Sequence, residues 1–498
     1  MTSVIGDPAT GPTTFVDDAD LADVAGALTR LLPSLEQYVR GLAADSFPAY
    51  ETGGVPSEPM ALPAEGVGLE ATIDELGRAV EEGCRISAPG WWGFVTTGAT
   101  TAGVVAQTAV ALAGGQRYLL HAFNALERTG LRWLAELCGL PEGVAGVFSS
   151  GGSTANLVAL GAARQAALER LGVDAAQDGL PPGFRGRIYV SSRAHRTIHR
   201  SAAVLGLGRN GVVEIPTDAA TRVDVAALEA ALERDARDGI VPVAVVAIAG
   251  STDTGAVDPI ADVVGVARRF GSWVHVDGAY GLIANASPSL APLFEGVREA
   301  DSWIVDPHKW LATGLGVGAT YVRDEGVLTR AFAEGTSTYL EGSFSTTRAD
   351  TPSQFDEMGG LWADQGVELS APPRGPLVWA VLREIGRAGV ARRVERHVGF
   401  ARRVAERARA DDRLELLLEP DLSIACFRYR PTGDGDANQL NFRIVERLRR
   451  ETPFIPTTTV VDGRLAIRPC FINPRTTARE VEGLVDATIR FGDELTAG

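Results

Sequence analysis

The stretch Ser302-Trp-Ile-Val-Asp-Pro-His-Lys-Trp-Leu311 places a lysine directly after a short apolar run. Lys309 is the only lysine of the chain, because 46 of the 47 basic residues are arginine. Arginine replaces lysine readily as a surface cation, but it does not lose its proton and attack a carbonyl group. A single retained lysine is therefore a candidate Schiff-base nucleophile. The alternative is a chance survivor in a chain that favours arginine, and position alone does not separate the two interpretations.

The composition is that of a globular protein with a large core. The chain has 498 residues, enough for two or three domains, and 45% of them are hydrophobic. The net charge of −16 leaves no basic excess to neutralise phosphates, so we expect no nucleic-acid partner. We find no apolar run of membrane-spanning length and no basic, apolar leader, so we expect neither a membrane partner nor a signal peptide.

The four cysteines are far apart in the sequence, at Cys84, Cys138, Cys426 and Cys470. No two of them have the spacing of a metal site or of a C-x-x-C motif. We therefore expect free thiols, a reducing cytoplasmic location and no bound metal.

Short apolar runs alternate with helical segments from about residue 145 onwards. Most of the runs are continuously apolar, as strands buried on both faces are. The seven runs are 145–148, 187–191, 211–215, 243–248, 272–276, 302–305 and 319–322. The pattern predicts an α/β fold with a mostly parallel, seven-stranded sheet flanked by helices.

Other segments surround this α/β region. Helical spacing at 21–42 and 72–80 predicts an N-terminal helical segment. A mixture of helices and strands after residue 377 predicts a small α+β domain. We therefore divide the chain into 1–90, a large domain at 91–376 and a small domain at 377–498. Within the large domain, the polar stretch 334–373 is predicted to be mobile.

The first strand-end motif is Ser149-Ser-Gly-Gly-Ser-Thr-Ala-Asn156, which lies between an apolar run and a helix. Small residues allow an anion to approach the backbone, and the helix start offers free N–H groups. Alone, the motif is more typical of a plain strand-to-helix turn capped by Ser153 or Thr154.

Three further polar residues follow other predicted strands. Asp277 would keep a pyridine nitrogen protonated, or simply cap the next helix. His195 would stack on an aromatic cofactor, or serve a structural purpose. Thr252 would position a neighbour through a hydrogen bond, or belong only to a turn. Ligands of parallel sheets bind beyond the carboxyl ends of the strands, where all of these residues fall.

Together these motifs resemble those of fold type I pyridoxal-phosphate enzymes. The likeness is greatest to the group II amino-acid decarboxylases, such as the aromatic-L-amino-acid decarboxylases, and it extends from about residue 20 to 490. The shared phrases are Trp91-Trp-Gly-Phe-Val-Thr-Thr, Gly151-Gly-Ser-Thr-Ala-Asn, Ala194-His195, His275-Val-Asp-Gly-Ala-Tyr and Asp306-Pro-His-Lys-Trp-Leu.

The resemblance implies a role for each matching position. Lys309 would bind pyridoxal 5'-phosphate as a Schiff base, Asp277 would pair with its ring nitrogen, and His195 would stack on the ring. The other implied cofactor contacts are Gly151, Gly152, Ser153, Thr252, Ala279, Asp306 and His308. The implied substrate contacts are Trp92, Phe94 and Thr97. The family's members are homodimers with swapped N-terminal helices and an active site at the interface.

The implied reaction is decarboxylation of an L-amino acid, with an aromatic or bulky side chain favoured. In related enzymes a tyrosine on a mobile loop delivers a proton to the product, and Tyr339 in the stretch 334–373 matches it. Related aldehyde synthases tend to have phenylalanine there, so Tyr339 favours simple decarboxylation. The alternatives are oxidative decarboxylation-deamination to an aldehyde, another lyase reaction, or transamination, for which Arg468 would bind the substrate carboxylate.

Some segments depart from the family pattern. Ala88-Pro89-Gly90 stands where a His-Pro pair is frequent, and Arg374 stands alone where two arginines are common. Arg117 and His121 lie in another divergent segment, where they would face a polar substrate side chain or form part of the interface. These departures concern the substrate rather than the cofactor.

Overall fold

A computed structural model describes residues 24–43, 61–113, 115–117, 121–333, 362–431 and 435–497. The chain divides into two compact units, Met1–Arg85 and Ile86–Gly498. The three-part division made from the sequence stays a prediction.

The first unit contains two helices, α1 (Val24–Gly41) and α2 (Leu69–Glu82), as the helical spacing predicts. They contact each other: the Arg30 guanidinium donates to both carboxylate oxygens of Asp74, at 2.8 and 2.7 Å. The pair approaches closely at Gly77, where a Cβ atom would lie only 2.6 Å from the Ser34 hydroxyl.

The second unit contains the remaining strands and helices. Its strands are β1 (Trp91–Trp92), β2 (Ala145–Ser149), β3 (Gly186–Ser191), β4 (Val212–Ile215), β5 (Val241–Ile248), β6 (Trp273–Asp277), β7 (Ser302–Val305), β8 (Gly318–Val322), β9 (Leu414–Leu418), β10 (Cys426–Tyr429), β11 (Ile455–Val461) and β12 (Arg464–Arg468). Its helices are α3 (Thr101–Ala113), α4 (His121–Leu137), α5 (Gly152–Glu169), α6 (Ala175–Asp178), α7 (Thr197–Val204), α8 (Val225–Arg237), α9 (Ile260–Arg269), α10 (Glu325–Phe332), α11 (Gly375–Ala410), α12 (Ala437–Glu451) and α13 (Ala478–Ala497).

The larger sheet has seven strands in the order β2-β8-β7-β6-β5-β3-β4. The pairs from β7 through β6, β5 and β3 to β4 are parallel, and only β8 runs antiparallel to its neighbours. Each of the seven apolar runs forms one of these strands, so the predicted fold is confirmed. Parallel order brings the strand-end motifs to one edge of the sheet.

Helix α5 packs directly against this sheet. Ala155 and Ala159 form a buried cluster with Ile304 of β7. Their small side chains let the helix axis lie close to the strands, so the start of α5 reaches the edge where β6 and β7 end.

The smaller sheet has the order β1-β11-β12-β10-β9. Its strand β1 precedes the larger sheet in the sequence, yet it pairs in parallel with β11, with Trp91 opposite Ile455. Helices α12 and α13 cover this sheet and share a core with it that includes Trp92, Phe427 and Phe491. Residues 91–92 therefore add a strand to a sheet whose other strands all follow residue 413, and the small α+β domain stays a prediction.

Among the helices of the described residues, none combines the length and the apolar character that crossing a membrane requires.

Candidate active site

A cavity of about 330 Å³ lies at the carboxyl edge of the larger sheet. All ten residues that the sequence assigned to the cofactor line it: Gly151, Gly152, Ser153, His195, Thr252, Asp277, Ala279, Asp306, His308 and Lys309. They come from five separate strand ends, so the parallel sheet is what assembles them.

The turn from β2 into α5 is built for close approach. Gly151 has a φ of 138°, a backbone conformation that residues other than glycine rarely adopt. A Cβ atom on Gly152 would lie 2.6 Å from Asp306 Oδ2. The first N–H groups of a helix have no acceptor within it, so the start of α5 at Gly152 and Ser153 offers donors to a phosphate.

Lys309 and Asp306 form an ion pair inside the cavity. Lys309 Nζ lies 2.9 Å from Asp306 Oδ2, and the carboxylate is almost completely buried. The other carboxylate oxygen, Oδ1, is buried and has no hydrogen-bond partner among the described residues. A carboxylate accepts hydrogen bonds but does not donate them, so this geometry directs Asp306 toward the lysine rather than toward a phosphate.

Asp277 ends strand β6 with its carboxylate held from two directions. Asn156 Nδ2 donates to Oδ2 at 3.1 Å, and the Ala279 N–H donates to Oδ1 at 3.2 Å. The carboxylate therefore has a fixed orientation at the cavity wall, as a partner for a pyridinium nitrogen requires.

His195 lies on another side of the cavity, directly before α7. Its Nδ1 is 3.0 Å from Thr197 Oγ1 and 3.4 Å from the Thr197 N–H. Burial lowers the pKa of His195 and outweighs the nearby Asp277 carboxylate, which raises it. The ring is therefore predominantly neutral at pH 7.

His308 and Thr252 are each held by backbone or side-chain hydrogen bonds. His308 Nδ1 donates to the carbonyl oxygen of Val317 at 2.7 Å. The carbonyl oxygen of Thr252 accepts from the buried Arg468 guanidinium. His308 is thus tied to the residue before β8, and Thr252 is tied to the end of β12.

The three predicted substrate residues do not line this cavity. Trp92 is completely buried in the core of the smaller sheet, where its Nε1 donates to Thr476 Oγ1 at 3.0 Å and its ring stacks on Phe454. Thr97 is also buried, whereas Phe94 is 62% exposed. In this chain Trp92 is a packing residue. Tyr339 lies outside the described residues.

The guanidinium of Arg468 forms hydrogen bonds with other residues of the protein. Its guanidinium donates to the carbonyl oxygens of Phe94 at 2.7 Å and Asp253 at 3.2 Å. It also donates to Thr457 Oγ1 at 3.1 Å and to the Thr252 carbonyl oxygen. Its guanidinium therefore has four acceptors, three on loops and one on strand β11.

Arg117 and Arg374 belong to a buried charged cluster beneath the α5 turn. Arg117 donates to the carbonyl oxygen of Phe148 at 3.1 Å, and Arg374 Nη1 donates to Glu368 Oε2 at 2.6 Å. Glu368 Oε1 accepts from the Ser150 N–H at 3.0 Å. Both arginines therefore support the turn that leads into the cavity.

Asn156 and Thr197 also line the cavity, although the sequence assigned them no role. Asn156 ends the quoted small-residue motif, four residues after Gly152, and Thr197 follows His195 by two residues. Asn156 also ends one of the phrases shared with the resembled family, whereas the only signal for Thr197 was its position beside His195.

Comparison with known proteins agrees with this geometry. The family model described as "Pyridoxal-dependent decarboxylase conserved domain" matches residues 55–430. An aromatic-L-amino-acid decarboxylase of Bacillus atrophaeus is 31% identical, covering 72% of this chain and 70% of that protein. An L-2,4-diaminobutyrate decarboxylase of Rhizobium meliloti (strain 1021) is 30% identical, covering 87% and 84%.

A solved structure, Oryza sativa TDC with PLP and tryptamine, matches with a TM-score of 0.85 at 27% identity, covering 97% of this chain and all of that one. The cavity residues fit pyridoxal phosphate: a lysine amine for its carbonyl, a carboxylate for its ring nitrogen, and helix N–H groups for its phosphate. The family model matches about three quarters of the chain. This chain therefore belongs to the pyridoxal-dependent decarboxylase family, and its cofactor is pyridoxal 5'-phosphate.

Proposed function

We propose that this protein decarboxylates an L-amino acid with an aromatic or otherwise bulky side chain, releasing the amine and CO2. The observation that carries the proposal is the convergence of Lys309, Asp277 and His195 on one cavity. The aromatic-L-amino-acid decarboxylase of Bacillus atrophaeus supports the substrate class. The diaminobutyrate decarboxylase has nearly the same identity to this chain, so the substrate has to be identified by direct measurement.

Each residue has a distinct task in this proposal. Bound pyridoxal phosphate supplies the electron sink for the pair released when the Cα–carboxylate bond breaks. Lys309 would hold the cofactor covalently through its side-chain amine. Asp277 keeps a proton on the ring nitrogen, and His195 covers the ring. The start of α5 holds the phosphate.

The hydrogen bonds of Arg468 support decarboxylation over transamination. An aminotransferase usually binds the substrate carboxylate with an arginine, which keeps that group in place during the reaction. The Arg468 guanidinium instead donates to Phe94, Asp253, Thr252 and Thr457. Arg468 is therefore occupied with the protein itself.

Phe94 is our remaining candidate for substrate contact on the aromatic run. It has φ of 56°, an unfavourable backbone conformation for a residue with a side chain. Its carbonyl oxygen accepts from Arg468, which fixes the strained loop and leaves the ring exposed. An exposed aromatic ring on a fixed loop suits contact with a bulky substrate.

Tyr339 is proposed to deliver the proton that replaces CO2 at the substrate Cα, as the family pattern implies. Its phenol also distinguishes simple decarboxylation from the oxidative reaction. A Tyr339→Phe variant should therefore lose amine formation and gain aldehyde formation.

The deciding experiment measures products across a panel of tryptophan, tyrosine, phenylalanine, 2,4-diaminobutyrate and glutamate. We expect stoichiometric CO2 and amine, fastest with an aromatic substrate. Aldehyde with hydrogen peroxide, or a keto acid without CO2, would overturn the proposal. Lys309→Arg is the matched control, because arginine keeps the positive charge beside Asp306 but forms no Schiff base.

We also propose a homodimer with its active site at the subunit interface. Helix α3 carries no charged residue, and Val104, Val105 and Leu112 on it are more than half exposed. An exposed apolar surface of this kind is typical of a subunit interface. A second copy of the chain is the occupant that the family resemblance implies.

We propose a cytoplasmic location, which rests on the cysteines. All four are free thiols, and three of them are buried. Unpaired thiols suit a reducing compartment. Fractionation of cells that produce the protein, with blotting of each fraction, would test the location.

A further inference from the structure

Asn156 lies at the centre of a buried hydrogen-bond network that connects both cofactor-facing side chains. Its Nδ2 donates to Asp277 Oδ2 at 3.1 Å and to Thr197 Oγ1 at 3.3 Å. Thr197 in turn contacts His195. On its other side, Asn156 Oδ1 lies 2.9 Å from His275 Nε2. One amide group therefore links the partner of the ring nitrogen with the residue that covers the ring.

The direction of each hydrogen bond follows from the carboxylate of Asp277. An ionised carboxylate only accepts, so the amide nitrogen of Asn156 faces it and Oδ1 faces His275. Because Oδ1 also only accepts, His275 must carry a proton on Nε2. In the neutral ring Nδ1 is then an acceptor, and it takes the hydroxyl hydrogen of Ser302 at 2.9 Å. Ser302 Oγ accepts from Trp273 Nε1 at 2.8 Å.

The branch toward His195 has an equally definite direction. Thr197 Oγ1 accepts from Asn156, which leaves its own hydrogen for His195 Nδ1. The Thr197 N–H points at the same nitrogen. An Nδ1 atom that accepts carries no proton, so neutral His195 has its proton on Nε2. Both histidines of the network are therefore the Nε2–H tautomer.

Burial makes this arrangement hard to change. His275 and Ser302 are fully buried and Asn156 is nearly so. Burial lowers the pKa of His275 to about 4, so the ring is neutral at pH 7. If the Asn156 amide turned over, its oxygen would face the Asp277 carboxylate and its nitrogen would face a donor. Two hydrogen bonds would be lost without replacement, which is costly in a buried site.

We propose that Asn156 is a positioning residue that aims the Asp277 carboxylate and the His195 ring at the cofactor, with His275 holding the oxygen end of its amide. This inference rests on the proposed roles of Asp277 and His195. His275 acts only through Asn156, so its substitution should change cofactor binding without removing a group that touches the cofactor.

The first test reads the tautomers directly in the cofactor-free protein. The chain has six histidines, so selective ¹⁵N labelling gives a small set of ring signals in two-bond proton–nitrogen spectra. The His195→Gln and His275→Gln variants assign two of them. We expect neutral Nε2–H rings for both residues at pH 7. A protonated Nδ1 on folded wild-type His275 would overturn the inference.

The second test compares His275→Leu with the conservative His275→Gln, which keeps an N–H donor toward Asn156. We expect His275→Leu to raise the Kd for pyridoxal phosphate about tenfold, the effect of one hydrogen bond to a charged group. The Kd of His275→Gln should stay within about threefold of the wild-type value, because the glutamine N–H still donates to Asn156. Thr488→Val is the control, because its hydroxyl is equally buried but bonds only within α13.

A folded His275→Leu protein with wild-type Kd and wild-type visible spectrum would overturn the inference. If His275→Leu does not fold, Ser302→Ala replaces it, since it removes only the hydroxyl that holds Nδ1. We expect that variant to keep the Nε2–H tautomer of His275 but to bind the cofactor more weakly, because the ring loses its support at Nδ1, and an unchanged Kd would count against the proposal. Failure of the proposed decarboxylation would leave the ring signals and the Kd differences intact, so the two failures are distinguishable.

Discussion

The Lys309 ammonium lies 2.9 Å from the Asp306 carboxylate, which is buried between Gly152 and Gly318. A side chain on either glycine would occupy the space of the carboxylate, since a Cβ atom would come within 3 Å of it. The turn from β2 into α5, our proposed phosphate site, is therefore connected with Lys309 through one acidic residue. This relationship gives the first prediction.

Asp306→Asn should destabilise the cofactor-free protein by about 1–3 kcal/mol, because a partly buried ammonium loses its negative partner. The loss should be smaller in the loaded protein, where Lys309 is no longer a free ammonium. Calorimetric unfolding with and without pyridoxal phosphate measures both values. Asp324→Asn removes an exposed pair with Arg330 and should change stability by less than about 0.5 kcal/mol. Equal losses in both forms would contradict the prediction.

Arg468→Lys should lower both the Tm and the affinity for pyridoxal phosphate. A lysine ammonium does not reach the four acceptors that the planar guanidinium holds, so the loops at Phe94 and Thr252 lose a common support. Thermal unfolding and cofactor titration measure the two effects. Arg464→Lys, on the same strand but half exposed and paired with Glu415, is the matched control. A raised KM with unchanged Tm would instead indicate that Arg468 binds the substrate carboxylate.

The sequence predicted the larger sheet well because its strands are buried on both faces, and burial leaves a continuous apolar run. It did not predict β9 or β11. Strand β11 contains Pro456 and three threonines, so its half-buried surface leaves no such run. The pairing of β1 with β11 joins residues 91 and 455, a contact that no local pattern contains. The family resemblance implied a substrate contact for Trp92, whereas its side chain packs in the core of the smaller sheet.

The sequence predicted the site residues that lie at or just after strand ends. Lys309, Asp277 and His195 each follow an apolar run, and parallel strands bring such positions together. The role of Asn156 was not predictable in this way. It lies inside α5, and its partners Asp277 and His275 are more than a hundred residues away. Only the packing of α5 on β6 creates those hydrogen bonds.

His275 should make the protein less stable as pH falls from 6.5 to 4. Its folded-state pKa is lowered to about 4 by burial, whereas the unfolded ring titrates near 6.5. Between these values the unfolded state binds more protons, so acid favours unfolding, by up to about 3 kcal/mol at the lower end. Urea unfolding at pH 7 and 5 measures the change, and His275→Gln should show a smaller one. An identical pH response in the variant would contradict this assignment.

Glu127 should make the protein less stable as pH rises, the opposite of the effect of His275. It is buried, its carboxylate accepts from the Gly375 N–H, and burial raises its pKa from 4.5 to about 7. The folded state therefore binds the extra proton, so stability is lost as pH rises from 4.5 to 7 and stays lower above that range. Glu127→Gln should remove this pH dependence. Its stability relative to wild type should therefore be higher at pH 8 than at pH 5. Urea unfolding at the two pH values tests it, with Glu142→Gln on the exposed loop after α4 as control.

Val105→Glu should convert the proposed dimer into monomers. Val105 is 62% exposed on the uncharged helix α3, next to Val104, so a dimer that covers this surface would bury the new carboxylate in each subunit. Burying an unpaired charge costs several kcal/mol, enough to shift association by orders of magnitude. Sedimentation velocity measures the change. Val204→Glu, at an equally exposed valine that ends α7, should leave the mass unchanged. If Val105→Glu keeps the dimer mass, α3 is not the interface, and its apolar surface needs a different partner.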